Sequence, residues 1–228
     1  MDFGPFEKKI GYTFRDAGLL EQAFTHRSHL NENRTPGREH NERLEFLGDA
    51  VLELVVTEFL YAKYPDKPEG ELTAYRAALV NTVSISDAGT KLGINDYLLL
   101  SRGESRDTGR ARQIILANAF EALIGALYLD SGYDTAKKFI ADQLFHKTDE
   151  VVAKRLWQDA KSKFQELVQE NMQVTPTYKI LEQSGPDHDK VFVVGAYIGN
   201  EKVATGEGRS KQEAEQAAAE KALAAKGW

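Results

Sequence analysis

The residues of this chain best placed to do chemistry are carboxylates spaced along two apolar segments. In Asn41-Glu42-Arg43-Leu44-Glu45-Phe46-Leu47-Gly48-Asp49, the acids Glu42, Glu45 and Asp49 stand at i, i+3 and i+7, which puts them on one side of a helix. Leu44, Leu47, Val51, Leu52, Leu54, Val55, Val56 and Phe59 make most of the remaining circumference apolar, the pattern of a buried helix. A second apolar segment, Ile114 to Leu129, carries Asn118 and Glu121 at i and i+3, and Gly125 at i+7 leaves room on that side. Carboxylates gathered inside a fold repel one another and lose hydration unless a cation sits among them. Oxygen ligands without interleaved Cys or His point to Mg²⁺, with Mn²⁺ able to substitute, rather than zinc. Mg²⁺ held this way suits phosphoryl chemistry, because it acidifies a bound water and neutralises charge on a phosphate.

Simpler roles compete for some of these groups. Asn41 reads as an N-cap, and Glu42 in the first turn favours the positive end of the helix dipole. That accounts for Glu42 but not for Asp49, two turns further in. His26 and His29 are near neighbours on a helix with no third ligand beside them, which favours packing or hydrogen-bonding roles. Arg102, Arg106, Arg110 and Arg112 form a basic run that is either a solvated loop or a phosphate contact.

Composition narrows the field. With 228 residues the chain can hold one large or two modest domains with real cores. The absence of cysteine removes disulfides, thiol catalysis and zinc–thiolate sites. The first residues lack the basic start and apolar core of a signal peptide, and no uninterrupted apolar run approaches the roughly 20 residues of a membrane span, so a cytoplasmic protein without a membrane partner is expected. A net charge of −6 argues against a polyanion as partner unless Lys and Arg are locally clustered.

The elements that must position these groups follow from periodicity and breakers. Phe6 to Phe24 reads as helical pieces interrupted at Gly11 and Gly18, and Asn31 to His40 as a loop containing Asn33, Pro36 and Gly37. The acidic helix runs to about Tyr64, where Pro65 and Pro68 stop it. Further helices are expected from Glu69, over Val83–Leu92 up to Gly93, over Ile114–Leu129, and between Tyr133 and about Arg155. Beyond Trp157 the pattern changes. A helix over Asp159–Asn171 precedes period-2 runs at Thr177–Leu181, Val191–Val194 and Lys202–Thr205, with turns at Gly185–His188 and Gly199-Asn200. Ser210 with Glu213 forms a capping box for a last helix, whose Ala214, Ala217, Ala218 and Leu223 make a flat face able to lie on a sheet. The expected architecture is an all-α domain over residues 1–155 followed by a small α+β domain, α-β-β-β-α, over residues 156–228.

Taken together, His40 to Asp49 resembles the signature of the bacterial ribonuclease III family, and Ala119-Phe120-Glu121-Ala122-Leu123-Ile124-Gly125 its second acidic segment. Asp159–Ser162, Gly185–His188 and Gly206–Lys211 resemble the double-stranded RNA-binding domain that follows it, and the likeness covers nearly the whole chain in order. The resemblance implies a homodimeric, Mg²⁺-dependent endoribonuclease that cuts double-stranded RNA with a metal-activated water. It implies 5′-phosphate and 3′-hydroxyl ends with short 3′ overhangs, and processing of ribosomal RNA precursors and other structured transcripts. By position it assigns Glu45, Asp49, Asn118 and Glu121 to the metal and Asp49, Glu121, Glu42 and Glu69 to catalysis, the last two assisting at the site or its rim. Phe46 becomes the residue that meets the partner subunit, where the residue pattern alone allows ordinary core.

Two positions depart from the family pattern. Asn118 stands where an aspartate is usual; an amide oxygen can coordinate an ion but brings no charge, so weaker Mg²⁺ binding and slower cleavage are expected. The alternative is a double-stranded RNA-binding protein whose cleavage is weakened or absent. Residues 159–228 contain 9 Lys and Arg against 11 Asp and Glu, so bulk charge does not recruit RNA. Arg209, Ser210 and Lys211 at the start of the last helix, where free N–H groups favour phosphate, are the expected contacts. Gln212 stands where a further basic residue is common, which lowers the expected grip. Ser162, Gln165, Glu166 and Gln169 share one helix face suited to 2′-hydroxyls in a minor groove, with His188 reaching the next.

Overall fold

The computed structural model describes residues 2–33, 37–154, 157, 159–186 and 190–228, and the chain divides into two units, residues 1–157 and 158–228. Pro36, expected in a loop, and His188, expected to contact RNA, lie outside the described residues.

The first unit is helical. Helices α1 (Gly4–Ile10), α2 (Ala17–Ala23) and α3 (Arg27–Glu32) are short; α4 (Glu42–Lys63) is long; α5 (Glu69–Val80) and α6 (Thr82–Leu92) follow; α7 (Arg110–Ser131) is the second long helix; α8 (Tyr133–Leu144) and α9 (Thr148–Ala153) complete the unit. Breakers act largely where the sequence places them. Gly11 and Gly93 end α1 and α6 in the left-handed conformation, at φ 68° and 74°. Gly18 is different: it sits in the first turn of α2, where its N–H donates to the Asp16 carboxylate at 2.8 Å, so it starts a helix rather than interrupting one.

Helix α7 is the axis of this unit. Ala119, Phe120 and every residue from Ala122 to Leu127 are buried, and α2, α4, α6 and α8 pack around it. By length and composition α7 is apolar enough to cross a membrane, the only such helix among the described residues, and burial on all sides explains its composition. Its most extensive contact is with α4. That contact is close because glycine faces backbone on both helices. A Cβ on Gly48 would fall 1.7 Å from the Glu121 carbonyl oxygen, and one on Gly125 would fall 2.2 Å from that of Leu44.

The second unit is α10 (Ala160–Met172), β1 (Thr177–Ser184), β2 (Val191–Ile198), β3 (Glu201–Gly208) and α11 (Lys211–Lys226). The strands form one antiparallel sheet in the order β1-β2-β3, with register shifts after Ile180 in β1 and after Ala196 in β2. Ala214, Ala218, Ala219 and Ala222 bring α11 so near the sheet that a Cβ on Gly206 would lie 2.1 Å from the Ala218 nitrogen. Phe164 and Val168 of α10 close the core. The fold class is as expected: a helical domain followed by an α-β-β-β-α domain.

Candidate active site and nucleic-acid interface

The start of α4 is fixed from behind. Asn41 is buried, its backbone N–H donates to the Thr25 carbonyl at 2.9 Å, and its side-chain amide donates to the Ala23 carbonyl at 3.2 Å. It therefore ties α4 to α2 and does not cap the helix with its side chain, contrary to the sequence expectation. The Glu42 N–H instead meets His40 Nδ1 at 3.4 Å. His26 caps α3 through Nδ1, which accepts from the Ser28 N–H, and His29 Nδ1 faces the Leu100 carbonyl at 3.4 Å. Both histidines hold backbone, and burial lowers the pKa of His26.

From that fixed start, α4 projects Glu42, Glu45 and Asp49 along one side. The expectation of a helix buried nearly all round fails here. Glu42 and Asp49 are exposed and Glu45 is half-buried, while Phe46, Leu54 and Tyr61 stand 81%, 52% and 75% exposed. Core burial is confined to the opposite side, through Leu44, Gly48, Val51, Leu52, Val55, Val56 and Leu60. Phe46 is therefore not core.

The glycine crossing brings Glu121 of α7 to these acids. Its carboxyl is pushed up to about 8, first by burial and then by the charges of Asp49 and Glu45. Glu45 is also raised, by burial and then by Glu42 and Asp49. Four acids thus form a continuous run, Glu42–Glu45–Asp49–Glu121, whose most buried member retains a proton at neutral pH for want of positive charge. Asn118, one turn before Glu121 and half-buried, engages no other group through its amide among the described residues, which leaves that amide open to a ligand. Glu42 is partly neutralised from outside by Arg27 at 3.3 Å. Glu69 is not brought into this run: it is exposed in the first turn of α5, where it accepts from Thr73 at 3.4 Å.

The donor set fits a hard divalent ion. It is oxygen only, it has a half-buried carboxyl that no Lys or Arg neutralises among the described residues, and it includes a free amide oxygen. Among the described residues no three His, Cys, Asp or Glu side chains are gathered tightly enough to grip an ion unaided. Mg²⁺ commonly takes one or two carboxylates and completes its shell with water and substrate phosphate, so this arrangement suits Mg²⁺ better than Ca²⁺.

In the second unit, Ser162, Gln165, Glu166 and Gln169 are all exposed on the face of α10 opposite Phe164 and Val168. The Ser162 hydroxyl donates to Asp159 at 2.6 Å. Arg209, Ser210 and Lys211 are exposed around the start of α11. The capping box forms with a variation: Ser210 Oγ accepts from the Glu213 N–H at 3.1 Å, and the Glu213 carboxylate takes the N–H of Arg209, one residue before the cap, at 2.9 Å.

Comparison with known proteins agrees with this division. Residues 16–148 match the family described as Ribonuclease-III-like, and residues 160–226 match the double-stranded RNA binding motif. The chain is 46% identical over 217 residues to Ribonuclease 3 of Protochlamydia amoebophila, covering 95% of this chain and 89% of that one. It is 48% identical over 221 residues to Ribonuclease 3 of Geobacillus thermodenitrificans, covering 97% and 89%. Among solved structures, a nuclease domain of ribonuclease III from Campylobacter jejuni aligns with a TM-score of 0.56 at 39% identity, covering 62% of this chain and 98% of that one. Signature, helical frame and appended RNA-binding motif coincide over nearly the full length, and the chain belongs to the ribonuclease III family.

Proposed function

We propose that this chain is a Mg²⁺-dependent endoribonuclease that cuts double-stranded RNA, its first unit hydrolysing the phosphodiester and its second gripping the duplex. The observation that carries this is the close crossing of α4 and α7, which sets the half-buried Glu121 within electrostatic reach of Asp49 and Glu45, with no Lys or Arg paired to it among the described residues. Family membership supports the endoribonuclease activity itself. The metal assignment rests on the donor set: Glu45, Asp49, Glu121 and the Asn118 amide. When bound, the ion supplies an acidified water and neutralises charge on the scissile phosphate. Glu121 gives up its proton to receive the ion, and Asp49, exposed toward solvent, orients water on the substrate side. Glu42, paired with Arg27, lines the rim, and Glu69 on α5, outside the run of acids, assists at most from that rim. No side chain serves as nucleophile, and the 3′-oxygen leaves, giving 5′-phosphate and 3′-hydroxyl ends.

The exposed run Phe46, Leu54 and Tyr61 supports a homodimer formed through α4, since so large an aromatic surface is otherwise costly in water. A solved relative carries in its description a region involved in dimer formation of the nuclease domain. Two copies facing across a duplex would cut one strand each and leave short 3′ overhangs. Processing of ribosomal RNA precursors in the cytoplasm is the proposed setting. A labelled RNA duplex incubated with the protein should be cut with Mg²⁺ and left whole in EDTA, and the unannealed strands should survive both. Duplex bound firmly but left uncut at any Mg²⁺ concentration would favour the RNA-binding alternative, for which Asn118 is the one specific argument.

A further inference from the structure

The sheet of the second unit has two unlike faces. Val194 and Ala196 of β2 point into the core beneath α10 and α11, with Phe192 and Ile198 beside them. The alternate residues of the strand point the other way, onto a face that no described element of the unit covers. Gly195 flattens the centre of that face. A Cβ there would fall 2.8 Å from Tyr197 Cε2 and 3.2 Å from Leu181 Cδ1, so both side chains lie across the glycine. Leu181 is 43% exposed and Val193 and Tyr197 are half-buried, which leaves an apolar strip open along β2.

Charge on this face is sorted by end. Glu182 of β1 and Glu207 of β3 both stand in register with Val193, while Lys179 of β1 is in register with Gly195 and Lys202 of β3 with Tyr197. The two outer strands run in the same direction, and each runs from its Lys to its Glu. All four residues are exposed, and among the described residues none forms an ion pair; Lys179 Nζ lies 4.9 Å from the centre of the Tyr197 ring. A face so divided is complementary to itself. A twofold axis lying between two such sheets, across the strands, turns the second copy end for end and sets its acidic end over the basic end of the first. A twofold along the strands sets Lys over Lys and Glu over Glu, and is repelled.

We propose that the open face of this sheet is a self-recognition surface, through which the second units of two chains pair back to back, Lys179 and Lys202 of each over Glu182 and Glu207 of the other. The surface is separate from the exposed face of α4 and draws on the second unit alone, so it stands apart from the catalytic reading. Three strands of eight residues, at about 4.8 Å between strands and 3.3 Å per residue, cover only about 370 Å² per copy. That is below the size of a stable interface, so the pairing is weak and reversible, and the charges set its orientation more than its strength. The helices that carry Ser162, Gln165 and Lys211 lie on the other side of the sheet, so pairing leaves them open.

The test is sedimentation equilibrium of the full chain without RNA, at low salt and up to millimolar protein, with Phe46→Ala carried throughout to weaken association through α4. This parent is compared with two charge-reversed forms, one bearing Glu182→Lys and Glu207→Lys, the other Lys179→Glu and Lys202→Glu. The parent should self-associate reversibly, each reversed form should do so roughly tenfold more weakly, and an equimolar mixture of the two should recover the association. Reversal moves the net charge of −6 by four units each way, to −2 and −10, so both forms stay acidic and bulk attraction does not explain a recovery. Because the four side chains are exposed, thermal melting should be unchanged, and the milder pair Glu182→Gln and Glu207→Gln should weaken association by a smaller factor. A parent that shows no association, reversed forms that associate as the parent does, or a mixture that recovers nothing each overturns the proposal.

Discussion

Gly48 and Gly125 meet where α4 crosses α7: a Cβ on Gly48 would come within 2.8 Å of the Gly125 nitrogen, and one on Gly125 within 3.2 Å of the Gly48 nitrogen. The two helices touch backbone to backbone, and the acids one turn away on each are therefore forced together. Function here depends on what is missing from two side chains. Gly48→Ala should destabilise the first unit by at least the 1–3 kcal/mol or so of ordinary overpacking, because backbone and not a side chain stands in the way. Urea unfolding of the variant measures it; wild-type stability would show that the helices part at no cost and that the crossing does not set the site.

The Glu121 carboxyl gives the metal-free protein a distinctive pH response. Its folded value, about 8, lies above the ordinary glutamate value, so the native state holds a proton that the unfolded chain has released. Stability from this group is complete below about 4.5 and is lost as pH rises through about 8, a swing on the order of 5 kcal/mol. Glu121→Gln, which keeps the shape and never ionises, should be more stable than wild type at pH 8.5 in EDTA and show little advantage at pH 5. Chemical denaturation at the two values checks this, and an advantage that is independent of pH would contradict it.

Asn118 can lend a metal its amide oxygen but no charge. Asn118→Asp should bind Mg²⁺ more tightly, by roughly a factor of ten, and cut faster at limiting Mg²⁺, with the difference shrinking as the ion saturates. Cleavage rates across a Mg²⁺ titration decide; equal rates for both proteins at low Mg²⁺ would defeat the prediction.

Phe46, 81% exposed, contributes to assembly and not to the monomer core. Phe46→Ala should leave monomer stability within about 0.5 kcal/mol, as for an ordinary surface change, while raising the dimer dissociation constant tenfold or more. Sedimentation velocity over a concentration series measures it, and an unchanged dissociation constant would move the interface elsewhere.

Much of this was legible from residue order alone. Pro65, Pro68, Gly93 and the Ser210–Glu213 box mark element ends because backbone chemistry acts locally. The spacing of Asn118, Glu121 and Gly125 likewise showed which side of α7 faces the site. What spacing could not show is what lies opposite. Leu44 and Phe46 are both apolar neighbours on α4, yet one is core and the other is open to water, a distinction made only by where α7 stops covering the helix. Asn41 has the side chain of a cap but is drawn to the Ala23 carbonyl, a long-range partner. Arg112, whose guanidinium donates to the Glu104 and Asp107 carbonyls, could not be told from Arg102, Arg106 and Arg110, because those carbonyls come within its reach only once the loop has formed.

The claim on which the account turns is that an ion displaces the proton held by Glu121. Calorimetric titration of Mg²⁺ at pH 7, repeated in buffers of different ionisation enthalpy, counts that proton directly. The account predicts release of about 0.9 proton per ion bound by wild type and close to none by Glu121→Gln. Binding to wild type without proton release, or release undiminished in the variant, would contradict it.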